Sequence, residues 1–393
     1  MPLKLRKSVK KLKITQLVQL IWLALFLIFI IFLVIWLKPQ ANLLFNPFVF
    51  SEPVQQINEP FSGQLYFNDQ LGQNKLSQLV IAAIDSAQAT IELAVYSFSD
   101  QDIKEAIYQA ANRGVKVTII LDAGKSQFNN QLLSDLPENI RRIDIKSKRG
   151  YMHHKFIIID RGQSSGQLLF GSYNFTKLQD RYDPSFLLIS PRPELVDSFG
   201  REIDRLANNN YGRKKILASD CLAERFQYTN GFLEIWFGPQ TRNRGLRNRM
   251  IDLIYGTKNS LKGMIWNFTD RDLAHAMLTV ARRHPVTMII DDVNWTGKYS
   301  VNQIMTKSLF NKLEIITDHR RNQEVKDLSG QDDLNSFLHH HALIIDDQTV
   351  VFGTNNWSSG GFFDNDESTI ISNIDSLVQS FGQSFLFNYQ KNQ

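Results

Sequence analysis

The sequence YMHHKFIIID, from Tyr151 to Asp160, is followed by GSYN at 171–174. Its apolar run at 156–159 is typical of a buried strand. Because residues i and i+2 of a strand lie on the same face, His153 and Lys155 are expected to project together. A hairpin after the strand would bring the GSYN segment back towards the histidine.

The same skeleton occurs a second time, as LHHHALIID at 338–346 followed by GTNN at 353–356. Here His339 and His341 share the predicted strand face, and His341 stands where the first stretch has lysine. A half-site that is duplicated, with one imidazole in each copy, suits a reaction that uses two histidines across a cleft.

An internal repeat contains both stretches. Residues 65–122 align without a gap with residues 235–292, at a constant offset of 170, and YSFSDQDI at 96–103 lies over WNFTDRDL at 266–273. Each copy alternates predicted strands and amphipathic helices, which indicates an α/β layer structure. Two copies are too few for a solenoid, so we expect a pair of domains related by a pseudo-twofold axis.

The two stretches resemble the motifs of the phospholipase D superfamily, which is marked by a duplicated HxKxxxxD followed by G-S/T-x-N. The resemblance covers about residues 60–375. It implies two phospholipase-D-type domains, each a mixed sheet flanked by helices, with one active site at their interface. It also implies phosphodiester cleavage through a covalent phosphohistidine, without metal or cofactor.

Site roles follow from the resemblance residue by residue. His153 is assigned as nucleophile and His339 as general acid and then base, although the sequence itself leaves that order open. The other residues are expected to bind the phosphate or to support the imidazoles. They are Lys155, His341, Asn174 and Asn356 for the phosphate oxygens, Asp160 and Asp346 as orienting acids, and Ser172, Thr354 and Glu367 as supporting groups.

Two departures from the family pattern bear on activity. His341 is shorter than the expected lysine and mostly neutral at pH 7, which predicts a weaker or pH-dependent phosphate clamp. Members often follow the second G-S/T-x-N with N-x-E, which Asn365-Asp366-Glu367 keeps, whereas the first copy has Arg181-Tyr182-Asp183.

Plainer interpretations stand beside these assignments. The run His339–His341 is an alternative metal site, although only its first and third residues would share a face. Asn174 and Asn356 also suit ordinary turns. Asp100 and Asp270 are expected to be helix N-caps and not catalytic groups.

Positive charge is concentrated at the N-terminus. Residues 1–38 hold seven Lys and Arg and no acid, which leaves 37 basic and 39 acidic residues in 39–393. The larger part of the chain therefore gives no bulk electrostatic case for nucleic acid. A single cysteine, Cys221, excludes an intramolecular disulfide and a cysteine-based zinc finger.

The run Leu17–Leu37 predicts a transmembrane anchor. It has 21 residues without a charge, and a helix of this length spans about 30 Å, the thickness of the hydrocarbon core. A cleaved signal peptide would have a shorter apolar run, and a buried core helix does not explain the basic flank. Six cations before the run and one after it place the N-terminus in the cytoplasm.

We therefore expect a single-pass membrane protein whose catalytic part is extracytoplasmic, as in a bacterial cell envelope. The predicted organisation is a basic segment 1–16, an anchor 17–37, a linker 38–60, a first domain 61–205, a connection 206–228 and a second domain 229–393.

Three functions compete at this point. The first is a membrane-anchored, monomeric phosphodiesterase that hydrolyses, or transfers, phospholipid phosphodiesters. The second is an extracytoplasmic nuclease, in which arginines would line the strand path. The arginines in question are Arg242, Arg244, Arg247, Arg249, Arg320 and Arg321, which a solvated loop would also explain. The third is a catalytically weak member that binds phosphodiesters, as His341 allows.

Overall fold

A computed structural model describes residues 54–71, 75–125, 136–217, 223–241, 245–306, 312–319 and 337–393, together with Trp22 and Phe26. The predicted anchor lies outside these residues except for Trp22 and Phe26, which are helical and exposed. Of the residues described, no helix has the length and apolar character needed to cross a membrane. The chain divides into the units Met1–Val49 and Phe50–Gln393, and the second carries everything below.

The first copy of the repeat forms a seven-stranded mixed sheet. Its strands are β2 (Gln64–Phe67), β3 (Thr90–Val95), β4 (Lys116–Asp122), β5 (Ile140–Ile145), β6 (Lys155–Ile159), β7 (Gln167–Gly171) and β8 (Phe186–Ser190), after a short β1 (Gln55–Gln56). They lie in the order β2-β8-β7-β6-β3-β4-β5. Strands β3, β4 and β5 are parallel, and the other neighbours pair antiparallel.

The second copy builds the same sheet again. Its strands are β9 (Ala223–Tyr228), β10 (Gly231–Phe237), β11 (Leu261–Ile265), β12 (Val286–Asp291), β13 (Leu313–Asp318), β14 (His341–Ile345), β15 (Thr349–Gly353) and β16 (Ser368–Ser372). Their order is β1-β9-β10-β16-β15-β14-β11-β12-β13. From β10 onwards this repeats the order of the first sheet, which confirms the predicted duplication.

The connection predicted at 206–228 differs from a plain linker. Its last six residues form β9, which pairs antiparallel with β10 and parallel with β1 from the predicted linker 38–60. Alternate residues of β9 are buried, so the strand covers one edge of the core. The sequence signal was missed because β1 has only two residues and β9 directly follows a charged stretch.

Helices cover the faces of both sheets. They are α1 (Asn68–Leu71), α2 (Lys75–Ser86), α3 (Gln101–Asn112), α4 (Lys177–Tyr182), α5 (Pro193–Ala207), α6 (Arg213–Leu217), α7 (Leu246–Tyr255), α8 (Arg271–Ala281), α9 (Asp292–Thr296), α10 (Asn302–Met305), α11 (Ser359–Phe363) and α12 (Asp375–Lys391). Asp100 and Asp270 accept hydrogen bonds from the first free N–H groups of α3 and α8, which confirms both as N-caps.

Two long helices join the copies in one core. Helix α5 contacts β3, β4, β6 and β7, whereas α12 contacts β2 of the first sheet and β11, β14 and β15 of the second. Across this junction the ring centroids of Phe199 and Phe237 are 5.2 Å apart, as are those of Phe186 and Phe381. The chain's many phenylalanines are therefore largely core residues that hold the two copies together.

Candidate active site

Both motifs lie where a parallel strand ends. The register pairs Lys155 with Val95, the last residue of β3, and His341 with Ile265, the last residue of β11. The two histidines that precede them therefore lie at the carboxyl edges of the two sheets. The hairpins predicted after each motif are the antiparallel pairs β6–β7 and β14–β15.

An aromatic residue packs against each histidine, and it directly follows the neighbouring strand, β3 or β11. The ring centroids of Tyr96 and His153 are 4.7 Å apart, and the indole of Trp266 stacks on His339 at 5.7 Å. Tyr96 and Trp266 are equivalent in the repeat. The alignment contained both residues, but nothing in their spacing marked them as walls of a site.

Each motif is fixed by the other copy. The backbone N–H of His153 donates to the carbonyl of Asp366 at 2.8 Å, and that of His339 donates to the carbonyl of Pro184 at 3.1 Å. The imidazoles also share one electrostatic environment: burial, and then the charges of Lys155 and His153, hold the pKa of His339 well below its usual value. The two half-sites thus lie close enough for the charges of one to affect the histidine of the other.

Glu367 from the second copy serves the histidine of the first. The Nδ1–H of His153 donates to Glu367 Oε2 at 2.8 Å. The same carboxylate accepts hydrogen bonds from Thr354 Oγ1 at 2.6 Å and from Asn365 Nδ2 at 2.9 Å, and it is 1% exposed. A proton held on Nδ1 leaves the Nε2 lone pair of His153 free. The supporting roles expected for Thr354 and Glu367 fit these contacts.

Among the residues that the structure describes, His339 has no matching acid. Glu367 directly precedes β16, and the residue that directly precedes the equivalent strand β8 is Ser185, so the first-copy counterpart of Asn365-Asp366-Glu367 is 183–185 and not 181–183. The Ser185 hydroxyl donates to the Asp183 carbonyl at 3.0 Å. Within the described residues, buried His339 Nδ1 has no hydrogen-bond partner. The site is therefore asymmetric.

The two phosphate clamps also differ. Lys155 Nζ donates to the carbonyl of His153 at 2.9 Å, and burial lowers the pKa of this lysine to about 7 although Glu367 opposes the shift. His341 is 2% exposed, and among the described residues neither of its ring nitrogens has a partner. Burial, followed by the neighbouring His339 and His153, lowers the pKa of His341 well below its usual value. One half thus offers an ammonium and the other a neutral imidazole.

The residues after β7 and β15 complete the surroundings. Ser172 Oγ accepts a hydrogen bond from the backbone of β8 and Thr354 Oγ1 accepts one from β16, so both hydroxyls fix the strand ends. Asn174 and Asn356 are buried, and in the part of the chain that is described their side-chain oxygens have no partner. Neither side-chain oxygen accepts a hydrogen bond of a turn, so both side chains are available to contact a ligand.

Asp160 and Asp346 do not orient the imidazoles, and this expectation is corrected by the structure. They follow the far ends of β6 and β14, away from the histidines. Asp160 accepts backbone N–H bonds from 88–90 and a bond from the hydroxyl of Ser165, and Asp346 accepts N–H bonds from 258–260. Burial opposes ionisation, but these bonds keep the pKa of Asp160 below its usual value. Both aspartates close a strand-to-loop junction.

A buried charge network lies behind the site. Lys215 on α6 forms ion pairs with Glu202 and with Asp366, the latter at 2.7 Å, while His154 donates to Glu202 at 2.8 Å. All four side chains are fully buried. No pattern in the sequence predicts this network, because its members come from the motif, α5, the connection and the second copy.

The network also bears on metal binding. His154, Glu202 and Asp366 place three ligand atoms within 4.8 Å of one another. The Lys215 ammonium already forms ion pairs with both carboxylates and occupies their oxygens, so this donor set does not fit a divalent ion. Strand alternation predicts that His340 lies on the opposite face from His339 and His341. In the structure the Nε2–H of His340 donates to Asp69 at 3.2 Å.

Two arginines of the stretch proposed for a nucleic-acid strand are paired with acids. Arg247 pairs with Asp270 and Asp272, and Arg249 pairs with the fully buried Glu234. The other four arginines of that prediction lie outside the described residues. The two that are described lie on α7 and form ion pairs that support the fold, so they belong neither to a solvated loop nor to a free cationic strand path.

The fold and the site together define a class of protein: a duplicated α/β chain whose copies build one histidine site between them. A family model described as "Cardiolipin synthase, PLD-like domain" matches residues 80–207 and 250–387. The chain belongs to the phospholipase D superfamily.

Individual relatives match one copy at a time. A "Phospholipase D" of Rickettsia conorii is 31% identical over 134 residues, which cover 34% of this chain and 65% of that protein. A "Mitochondrial cardiolipin hydrolase" of Canis lupus familiaris is 30% identical over 135 residues, which cover 34% of this chain and 51% of that protein. The chain thus matches between half and two thirds of these relatives' length.

A solved structure shares the duplicated fold. The phosphatidylserine synthase of Haemophilus influenzae aligns with a TM-score of 0.60 over 85% of this chain and 88% of its own, at 15% identity. At this identity the likeness concerns the fold alone.

Proposed function

We propose that this chain is a membrane-anchored enzyme that hydrolyses phospholipid phosphodiester bonds, with His153 as nucleophile and His339 as general acid. The observation that carries the assignment is the hydrogen bond from His153 Nδ1 to Glu367, which has no equivalent at His339. This asymmetry supports His153 as the nucleophile, in the order that the sequence leaves open.

Bond making begins at His153. Its Nε2 lone pair attacks phosphorus while the bond from phosphorus to the leaving alcohol breaks, and Glu367 stabilises the positive charge that forms on the ring. Lys155, His341, Asn174 and Asn356 are the groups placed to meet the non-bridging oxygens, where negative charge increases in the transition state.

His339 handles the proton on the other side. It donates a proton to the leaving alcohol oxygen and then takes one from the water, or the acceptor alcohol, that attacks the phosphohistidine. Because burial and the charges of Lys155 and His153 lower its pKa, His339 is neutral in the empty site at pH 7. An anionic phosphodiester between these groups would offset their charges and favour the protonated ring.

Phospholipid is the substrate that we favour. The two relatives above are named for acting on phospholipid and on cardiolipin, and the family model carries the name of cardiolipin synthase. The predicted anchor at 17–37 would hold the enzyme at a membrane, with the site on the extracytoplasmic side. The pairing of Arg247 and Arg249 with acids removes part of the case for a nuclease.

The substrate is tested with the full chain in a non-ionic detergent containing EDTA. Mixed micelles of phosphatidylglycerol, cardiolipin or phosphatidylcholine are assayed for headgroup release, and a single-stranded oligonucleotide is assayed for cleavage. We expect headgroup release and, after acid quenching, phosphate on His153. Strand cleavage without headgroup release would identify a nuclease. The absence of both reactions would indicate a protein that binds phosphodiesters without cleaving them.

The order of the histidines is tested with a phosphodiester of p-nitrophenol, because this leaving group needs no acid. We expect His339→Ala to keep a burst of one p-nitrophenolate per enzyme and His153→Ala to show none. A burst from His153→Ala that His339→Ala lacks would reverse the assignment.

A further inference from the structure

Four exposed cations lie together beside the first motif, and we call them the cationic rim. Lys146, Lys148 and Arg149 occupy the loop between β5 and Tyr151, and Lys214 lies on α6. The loop and the helix touch, since the Tyr211 hydroxyl donates to the Lys146 carbonyl at 3.4 Å.

The cationic rim is not neutralised by the fold. In the described part of the chain, none of its members is in an ion pair, and Lys214 Nζ bonds only to the carbonyl and side-chain oxygens of Asn209. Two acids of this surface are already paired: Asp144 with Arg142 and Asp364 with Arg213. This differs from Arg247 and Arg249, whose charges are consumed by buried acids.

The loop is held in place. A Cβ on Gly150 would lie 2.2 Å from the carbonyl oxygen of Asp364, and its φ of +79° is one that glycine adopts without strain. The next residue, Tyr151, donates its N–H to Asn365 at 3.0 Å. The cationic rim is therefore a fixed surface that the second copy supports.

This surface continues into the site. The Tyr151 ring is 50% exposed and lies 5.7 Å from the ring of Tyr96, which in turn lies 4.7 Å from that of His153. A half-exposed tyrosine between a cationic patch and a buried nucleophile is the arrangement of a residue at a lipid–water interface.

We propose that the cationic rim and Tyr151 dock on the surface of a bilayer that contains anionic phospholipid, and so bring headgroups to the site mouth. Clustered Lys and Arg are attracted to anionic leaflets, and the attraction is screened by salt. The choice of lipid over a nucleic-acid backbone rests on the proposed function.

The test measures lysine acetylation, which needs no turnover. The full chain is mixed with vesicles of phosphatidylcholine alone or of phosphatidylcholine and phosphatidylglycerol at 7:3, and mass spectrometry gives the labelling rate of each lysine. With phosphatidylglycerol we expect Lys146 and Lys148 to be labelled about threefold more slowly, and salt at about 0.5 M to remove the difference. Lys116, the first residue of β4, and Lys258, which lies shortly before β11, are at the opposite edge of the sheets and should label equally in both.

Matched charge variants give the second measurement. K146Q/K148Q/R149Q should reduce the rate of headgroup release from the anionic vesicles about tenfold, whereas K75Q/K116Q/K258Q, which also removes three exposed cations, should keep the wild-type rate.

Each outcome decides one hypothesis. Equal labelling on both vesicles would overturn the docking surface, and protection by a single-stranded oligonucleotide but not by phosphatidylglycerol would reassign it to nucleic acid. Protection without headgroup release would support docking and refute the proposed function, and release without protection would do the reverse.

Discussion

Glu367 separates the two imidazoles chemically, although the sequence makes them look equivalent. One imidazole has a fixed proton and a carboxylate beside it, whereas the other has neither. The carboxylate also accepts bonds from Thr354 and Asn365, so its orientation is fixed before substrate arrives. At the scale of the residue, the chemistry is decided by one acid that the second copy keeps and the first copy lacks.

Replacing this acid by an amide should therefore damage catalysis more than folding. We expect Glu367→Gln to lower kcat by about 10³-fold, because a neutral amide neither fixes the Nδ1 proton nor stabilises the imidazolium charge. Ser185→Ala, at the equivalent position beside β8, should stay within about twofold of the wild type, since the hydroxyl that is removed donates to the Asp183 carbonyl and the backbone bonds of Ser185 to Asn68 remain. Equal losses in the two variants would contradict the asymmetry.

The pH dependence should follow Lys155. Burial lowers its pKa to about 7, so above that pH the free site loses the ammonium that meets the phosphate. We expect kcat/KM to fall as pH rises through about 7, with the loss mainly in KM, and Lys155→Arg to shift the fall to higher pH. A profile measured from pH 5 to 9 that rises through pH 7 would refute this role.

His341 gives a gain-of-affinity prediction. A lysine there would restore a second ammonium where a neutral, unpartnered imidazole now lies. We expect His341→Lys to tighten the binding of inorganic phosphate about tenfold at pH 7, measured by calorimetry. Unchanged affinity would place the residue outside the phosphate subsite.

At the scale of the element, the strands of the two motifs were predictable. The role of the aspartate that directly follows each strand was not. The apolar runs after His153 and His339 identify β6 and β14, and strand alternation separates His154 and His340 from the site. The fate of Asp160 could not be deduced, because a positive φ of 50° turns the chain at that residue and directs its carboxylate to the N–H groups of 88–90. Sequence adjacency in a motif does not establish adjacency in the site.

Asp160 should accordingly affect stability and not chemistry. Asp160→Ala leaves the partly buried N–H groups at 88–90 without their acceptor, and we expect a loss of about 1–3 kcal/mol in the free energy of unfolding. The kcat of the folded protein should change less than about threefold. Urea unfolding and active-site titration separate the two quantities, and a kcat loss comparable to that of Glu367→Gln would restore a catalytic role.

At the scale of the whole molecule, the copies are joined through buried charge as well as through the aromatic core. Lys215 lies in what the sequence presents as a connection, yet its ammonium joins α5 of the first copy to Asp366 of the second. Asp366 in turn is the residue whose carbonyl holds His153. No local sequence pattern predicts these contacts. Lys215, Glu202 and Asp366 come from different elements, and Lys, Glu and Asp are residue types that usually lie at the surface.

Removing this cation should loosen the whole unit. Lys215→Met removes the ammonium that pairs with both buried carboxylates; Glu202 keeps its ion pair with Arg205 whereas Asp366 loses its own, and we expect a cost of about 3–5 kcal/mol and a lower urea midpoint. Its neighbour Lys214 is exposed, so Lys214→Met provides the matched control and should change the midpoint little. A wild-type midpoint for Lys215→Met would show that the network contributes little to folding.

Glu367 of the second copy serves His153 of the first, and this contact has a consequence for engineering. A homodimer of the first copy would have two His153 nucleophiles but no equivalent of Glu367. A homodimer of the second copy would have two Glu367 carboxylates but no equivalent of Lys155. The two copies therefore supply different parts of one site, so co-expressed fragments should regain turnover only as the hetero-pair.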